Sequence, residues 1–156
     1  MAYSRPQTAI LSRRLRESRR FIQAVVGPRQ VGKTTLVQQV IAADHLNARF
    51  ASADEPTLRG GGWIEQQWEA GRLSIGTAGR RSAVLVLDEI QKIPHWSETV
   101  KRLWDEDTRD KVPLKVVLLG SAPLLISRGL TESLSAGNVI SWIHRLKRRF
   151  LAMYCC

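Results

Sequence analysis

Apolar residues along this chain fall into two alternating patterns. Short, nearly unbroken apolar runs occur at Phe21–Val26 (FIQAVV), Ala83–Leu87 (AVLVL) and Leu114–Leu119 (LKVVLL). Runs of this length and density predict strands covered on both faces. Between them, apolar residues recur every three or four positions: Leu36, Val37, Val40 and Ile41 within Lys33–Ala43, Ile64 and Trp68 within Trp63–Ala70, and Trp96, Val100, Leu103 and Trp104 along Ser97–Asp107. That spacing predicts helices that each bury one stripe. Ala48–Ala53 reads as a further strand, Gly60–Gly62 as a break, and Pro123 and Gly129 bracket a short helix, beyond which the pattern blurs past Leu134. Strands alternating with helices, without repeats or low-complexity tracts, predict an α/β domain around a mainly parallel sheet.

Composition narrows the class. The chain has 156 residues, 44% of them hydrophobic and 24% charged, enough to bury a core without disulfides or metal. No apolar run is long enough to span a membrane, the first twenty residues lack a signal-like apolar centre, and the expected location is the cytoplasm. Cys155 and Cys156 are adjacent, which excludes a disulfide framework and spaced zinc-ligand pairs. His45, His95 and His144 stand alone, with no ligand partner at metal spacing. The five tryptophans read as core or half-buried aromatics.

The net charge of +10 is unevenly placed. Residues 1–20 carry +5, residues 137–156 carry +4, and the stretch between is close to neutral at +1. Ala9–Arg20 reads as a basic amphipathic helix around Ile10, Leu11 and Leu15, leading into the first strand. Basic ends are usually solvated tails, but they leave nucleic acid open as a partner.

Between the first strand and the first helix lie Gly27, Pro28, Arg29, Gln30, Val31, Gly32, Lys33 and Thr34, which fit the phosphate-loop pattern G-x-x-x-x-G-K-[ST]. Glycines let the backbone curl closely around phosphate oxygens. Backbone N–H groups from Arg29 to Thr35 then form an anion nest, and the following helix adds the positive end of its dipole. In this chemistry Lys33 reaches the β- and γ-phosphates and the Thr34 hydroxyl binds Mg²⁺. The strand ending at Leu87 runs directly into Asp88 and Glu89. Alone, such a pair is an ordinary solvated loop. Downstream of a phosphate loop, the first acid is placed to hold Mg²⁺ and the second to deprotonate an attacking water. A GTPase would need an N-K-x-D motif, but neither Asn47 nor Asn138 is followed by lysine. A metabolite kinase has little use for the second acid, so the pair favours ATP hydrolysis.

With their neighbours, these motifs resemble the prokaryotic AAA-type P-loop ATPases. The resemblance runs from Val25 to about Leu134 and rests on GPRQVGKTT (Gly27–Thr35, Walker A), LDEIQK (Leu87–Lys92, Walker B), Pro94-His95-Trp96 with the helix through Glu106, VVLLGSAPLL (Val116–Leu125) and GLTESL (Gly129–Leu134). It implies a parallel sheet flanked by helices, with the strand before Ser121 lying between the strands that lead to Gly27 and to Asp88. It also implies that Ser121 is a polar sensor of the γ-phosphate or the attacking water, that ATP and Mg²⁺ are bound, and that subunits can assemble into a homo-oligomer. After Leu134 the chain departs from the family pattern: AGRF and a further strand are replaced by SAGNVI and a basic stretch. The expected division is a basic N-terminal helix (1–20), an ATPase domain (21–134) and an atypical tail (135–156). This is the look of a truncated or frame-shifted product lacking the last strand, the C-terminal region and a candidate arginine finger. Three readings stay open: an ATPase, a nucleotide-dependent nucleic-acid-binding module, and a fragment in which activity is lost.

Overall fold

The computed structural model describes residues 6–54 and 62–121. The expected helix between Pro123 and Gly129, the tail 135–156 and Trp142 lie outside them. In chain order the elements are α1 (Pro6–Arg16), β1 (Gln23–Val26), α2 (Lys33–Ala43), β2 (Ala48–Ser52), α3 (Trp63–Leu73), β3 (Ala83–Asp88), α4 (Trp96–Arg109) and β4 (Leu114–Gly120), with short 3₁₀ turns at Thr77–Gly79 and Ile90–Lys92. All strand pairs are parallel, in the order β1-β4-β3-β2. The strand before Ser121 therefore lies between the strands leading to Gly27 and ending at Asp88, as the resemblance implies.

The apolar runs of β1, β3 and β4 are buried on both faces because helices cover both sides. On one face Ala24, Val26, Leu85, Leu87, Val116 and Leu118 pack with Ile64 and Trp68 of α3 and with Trp96, Val100 and Leu103 of α4. On the other, Val25, Val84, Val86, Val117 and Leu119 pack with Leu11 and Leu15 of α1 and with Leu36, Val37 and Val40 of α2. The result is a three-layer sandwich with two separate apolar cores. Among the described residues no helix is long and apolar enough to cross a membrane.

Tertiary contacts explain where the elements differ from expectation. α1 ends at Arg16 rather than Arg20, because Arg19 leaves the helix to bridge to the far layer. Its guanidinium donates to the carbonyls of Leu114 (2.8 Å) and Trp104 (2.9 Å) and to the Thr108 hydroxyl (2.8 Å). It also lies 3.4 Å from the centre of the Trp104 ring, a cation–π contact. β1 starts at Gln23 instead of Phe21, because the Gln23 amide turns back to donate to the Phe21 carbonyl (2.9 Å). α3 and α4 each run past their expected ends, to Leu73 and Arg109, and residues of these last turns join the two helices. Asp107 is fully buried and accepts hydrogen bonds from Trp68 Nε1 (2.7 Å) and Arg72 Nε (2.8 Å).

α1 is fastened to the far end of α2 through Asp44. That carboxylate accepts from the Ser12 hydroxyl (2.6 Å) and from the Arg16 guanidinium. The Arg16 hydrogen bond is the largest influence holding the Asp44 carboxyl below its ordinary pKa. Of the five described N-terminal arginines, Arg14 pairs with Glu17, Arg16 with Asp44, and Arg19 is used by the fold as above, while Arg13 and Arg20 are exposed.

Two outcomes follow from these contacts. Asp107→Ala leaves the Trp68 indole N–H without its partner and Arg72 with only Glu69 and Glu106, each at 3.4 Å, and is expected to cost about 1–3 kcal/mol, measured by urea unfolding. A loss under about 1 kcal/mol would show that α3 and α4 are held by apolar packing alone. For Asp44 the folded-state pKa is depressed, so its contribution is complete above the ordinary carboxylate pKa and is lost as pH falls through the folded value. The stability gap between the wild type and Asp44→Asn should accordingly stay constant from pH 7 to about pH 5 and close as pH falls below about 4. A gap that widens in acid would contradict the pairing.

Candidate functional site

The parallel sheet brings the carboxyl ends of β1, β3 and β4 to one edge, and the residues singled out in the sequence gather there. Val26 ends β1, and the N–H of the next residue, Gly27, donates to the Gly120 carbonyl of β4 (3.4 Å). The loop that follows needs unusual backbone angles at two points: Gln30 (φ 61°) and Gly32 (φ 81°) are left-handed. Glycine reaches this region without strain, and Gln30 does so at some cost. Gly32 is the N-cap of α2 and supplies no side-chain cap, and no acid lies in the first turn. The first backbone bond of α2 runs from the Leu36 N–H to the Gly32 carbonyl (3.0 Å). The helix start therefore faces the loop with unneutralised N–H groups, an arrangement suited to an anion.

Lys33 is buried at 8% exposure, and its ammonium arches back over the loop to donate to the carbonyls of Gly27 (3.0 Å) and Pro28 (2.7 Å). Burial pushes its pKa down, while Glu89 and Asp88 nearby work against that shift. Pro28, Arg29, Gln30 and Thr35 are exposed, and Val31 is half-buried.

Thr34 and Asp88 are 54 residues apart in the chain, yet the Thr34 hydroxyl donates to Asp88 Oδ2 at 2.8 Å. This bond joins the first turn of α2 to the end of β3. The other Asp88 oxygen, Oδ1, accepts from the Glu89 N–H (2.8 Å). Glu89 itself is left-handed at φ 52°, costing roughly 1–2 kcal/mol in a residue with a Cβ. Its Oε2 accepts from Gln91 Nε2 at 2.5 Å. Ser121 directly follows β4, is buried at 8% exposure, and its hydroxyl has no hydrogen-bond partner among the described residues.

The donor set suits a nucleoside triphosphate with a hard divalent cation. A hydroxyl and a carboxylate already stand within hydrogen-bond distance, the oxygen ligands Mg²⁺ prefers. An uncapped helix start and a buried ammonium lie beside them. The Ser121 hydroxyl is a buried polar group without a partner among the described residues. Sequence reasoning missed two features here. The loop carbonyls that hold Lys33 are main-chain atoms, which leave no trace in side-chain identity. Gln91 belongs to the LDEIQK motif, but its contact with Glu89 was not foreseen. The available signal was a polar residue between Ile90 and Ile93, both buried.

A family model described as AAA domain matches residues 19–145, a span that includes Gly27–Thr35, Asp88, Glu89 and Ser121. Among solved structures, a point variant of Thermotoga maritima RuvB is 20% identical, with a TM-score of 0.43, over 78% of this chain and 39% of that chain. The chain thus spans well under half the length of that protein. No curated protein matches the chain.

Proposed function

As the chain belongs to the AAA-domain family of nucleotide-binding ATPases, we propose that it binds ATP with Mg²⁺ at Gly27–Thr35 and that its site is built to hydrolyse it. The observation that carries this reading is the 2.8 Å hydrogen bond between Thr34 and Asp88. It supports reading Gly27–Thr35 and the acid pair as one site, and a threonine hydroxyl and an aspartate are the side chains that hold Mg²⁺ in P-loop enzymes.

The roles follow from position. Backbone N–H groups from Arg29 to Thr35 hold phosphate oxygens, and the α2 dipole favours their charge. Lys33 exchanges the carbonyls of Gly27 and Pro28 for β- and γ-phosphate oxygens. Thr34 and Asp88 would hold Mg²⁺, which would supply neutralisation of the charge that develops on the phosphates. Glu89 accepts the proton of the attacking water, and the Ser121 hydroxyl contacts the γ-phosphate or that water. Assembly with further copies, a cytoplasmic location and the process driven by hydrolysis belong to the same proposal. Three arginines of α1 and its exit, Arg14, Arg16 and Arg19, are engaged within the fold, while Arg13 and Arg20 are exposed, so the nucleic-acid reading rests on few of them.

Lys33→Ala is expected to weaken ATP binding by about 2–5 kcal/mol, read by calorimetry with ATP and Mg²⁺, while the fold stays intact. Equal affinity in both proteins would remove this loop as the nucleotide site. Glu89→Gln should keep ATP bound and slow single-turnover hydrolysis roughly 10²–10⁴-fold. Asp88→Asn should weaken only the part of ATP affinity that depends on Mg²⁺. Hydrolysis by Glu89→Gln at the wild-type rate would show that another group is the base.

A further inference from the structure

The acid assigned as the base is held at three points. Its N–H donates to Asp88 Oδ1 (2.8 Å), and its carbonyl accepts from the Lys92 N–H (3.0 Å). The third point is the carboxylate, where Gln91 Nε2 donates to Oε2 at 2.5 Å. Among the described residues this is the carboxylate's only hydrogen bond, and it leaves Oε1 unengaged. The two backbone bonds fix where the left-handed residue leaves β3, but they do not fix the carboxylate, which turns on three side-chain torsions. Only the Gln91 contact does that.

Gln91 is an odd occupant of its position. It is 3% exposed, between Ile90 at 0% and Ile93 at 9%. An apolar side chain would fill that place without desolvating an amide. The amide is only half satisfied as well: Nε2 is used on Glu89, while Oε1 is buried with no hydrogen-bond partner among the described residues. Burying such a group costs roughly 1–3 kcal/mol. The orientation of the amide is dictated, because the reverse would set its oxygen against a carboxylate that can only accept. Packing alone gives no reason to retain a glutamine here, whereas fixing the neighbouring carboxylate does.

We propose that Gln91 is a positioning residue for Glu89: its amide N–H₂ clamps Oε2 and so aims Oε1 at the attacking water. This rests on the reading of Glu89 as the base. The clamp joins residues two apart, within the 3₁₀ turn Ile90–Lys92 and the residue that caps it. It therefore moves with the end of β3 and keeps the carboxylate aligned with Asp88 and the phosphate loop. Asp88 and Lys33 are the charged groups nearest to it from β3 and α2. Lys92, the last residue of the turn, is paired with Asp54.

The test combines a near-isosteric substitution with a second background. Gln91→Met keeps the volume and removes the donor. It should lower kcat on the order of 10–10²-fold, the usual penalty for a misplaced catalytic group, with ATP affinity by calorimetry unchanged within about twofold. In a Glu89→Gln background the same substitution should have no further effect on rate, because the clamp acts only through the carboxylate. An equal loss in both backgrounds, an unchanged kcat, or a parallel loss of affinity would overturn the proposal. A readout without nucleotide stands beside it. The Gln91 side-chain amide resonances, assigned by their absence in Gln91→Met or in Gln91→Asn should the methionine variant not fold, should shift in Glu89→Ala. Unshifted resonances would mean the clamp does not exist. A failure of the base assignment is read separately, as wild-type turnover by Glu89→Gln alone.

Discussion

Parallel pairing of β4 between β1 and β3 is the constraint on which the site depends. It carries Val26 and Gly120 side by side and sets Leu118 against Leu87, so the phosphate loop, Ser121 and the acid pair leave the sheet at one edge. With β4 interposed, β1 and β3 are two strand spacings apart, roughly 10 Å. Thr34, in the first turn of the helix that follows β1, nonetheless reaches Asp88 at the end of β3. The 2.8 Å bond is thus a measure of sheet order: with β1 and β3 adjacent, the first turn of α2 and Asp88 would meet differently.

The two apolar cores serve the site unequally. The α1–α2 face buries Leu36, Val37 and Val40, which set how α2 lies on the sheet and where its N–H groups point. α1 braces that helix at its far end through Ser12, Arg16 and Asp44, well away from Gly32. The α3–α4 face carries the larger side chains, three of them tryptophans, and a buried carboxylate with two donors. Arg19 links the layers by hydrogen-bonding Trp104 and Leu114, at the sheet edge opposite the phosphate loop. The close-packed side chains lie behind the site, while the loop Pro28–Gln30 is exposed.

What the sequence made legible was whatever local physics decides. α2 begins at Lys33 and ends at Ala43 as its periodicity predicts, because Gly32 supplies the left-handed cap and the apolar stripe stops at Ile41. The starts of β2, β3 and β4 were equally plain, since each follows a polar or glycine-containing stretch. The limits of α1, β1, α3 and α4 were not, because Arg19, Gln23, Arg72 and Asp107 act on partners distant in the chain or in adjoining turns, where no hydrophobic period registers them. The order of β4 between its neighbours came from family resemblance, not from spacing. Within the site, Lys33, Thr34, Asp88 and Glu89 were visible as residue types in a pattern. The contacts that orient them, Lys33 to main-chain oxygens and Glu89 to Gln91, depend on rotamers that only packing selects.

Glu89 gathers these threads. It spends conformational energy in the left-handed region at the point where a strand becomes a turn. A glycine there would relieve the strain but supply no carboxylate. A glutamate continuing the strand would pair along β3 and carry its side chain to one of the two buried faces, as Leu87 and Val86 do. Leaving the sheet through a left-handed residue avoids both outcomes: the carboxylate stays at the edge, and the Asp88 side chain satisfies the freed N–H. The strain is therefore the condition for having two adjacent acids serve one site, one as an extension of the strand and the other turned out of it.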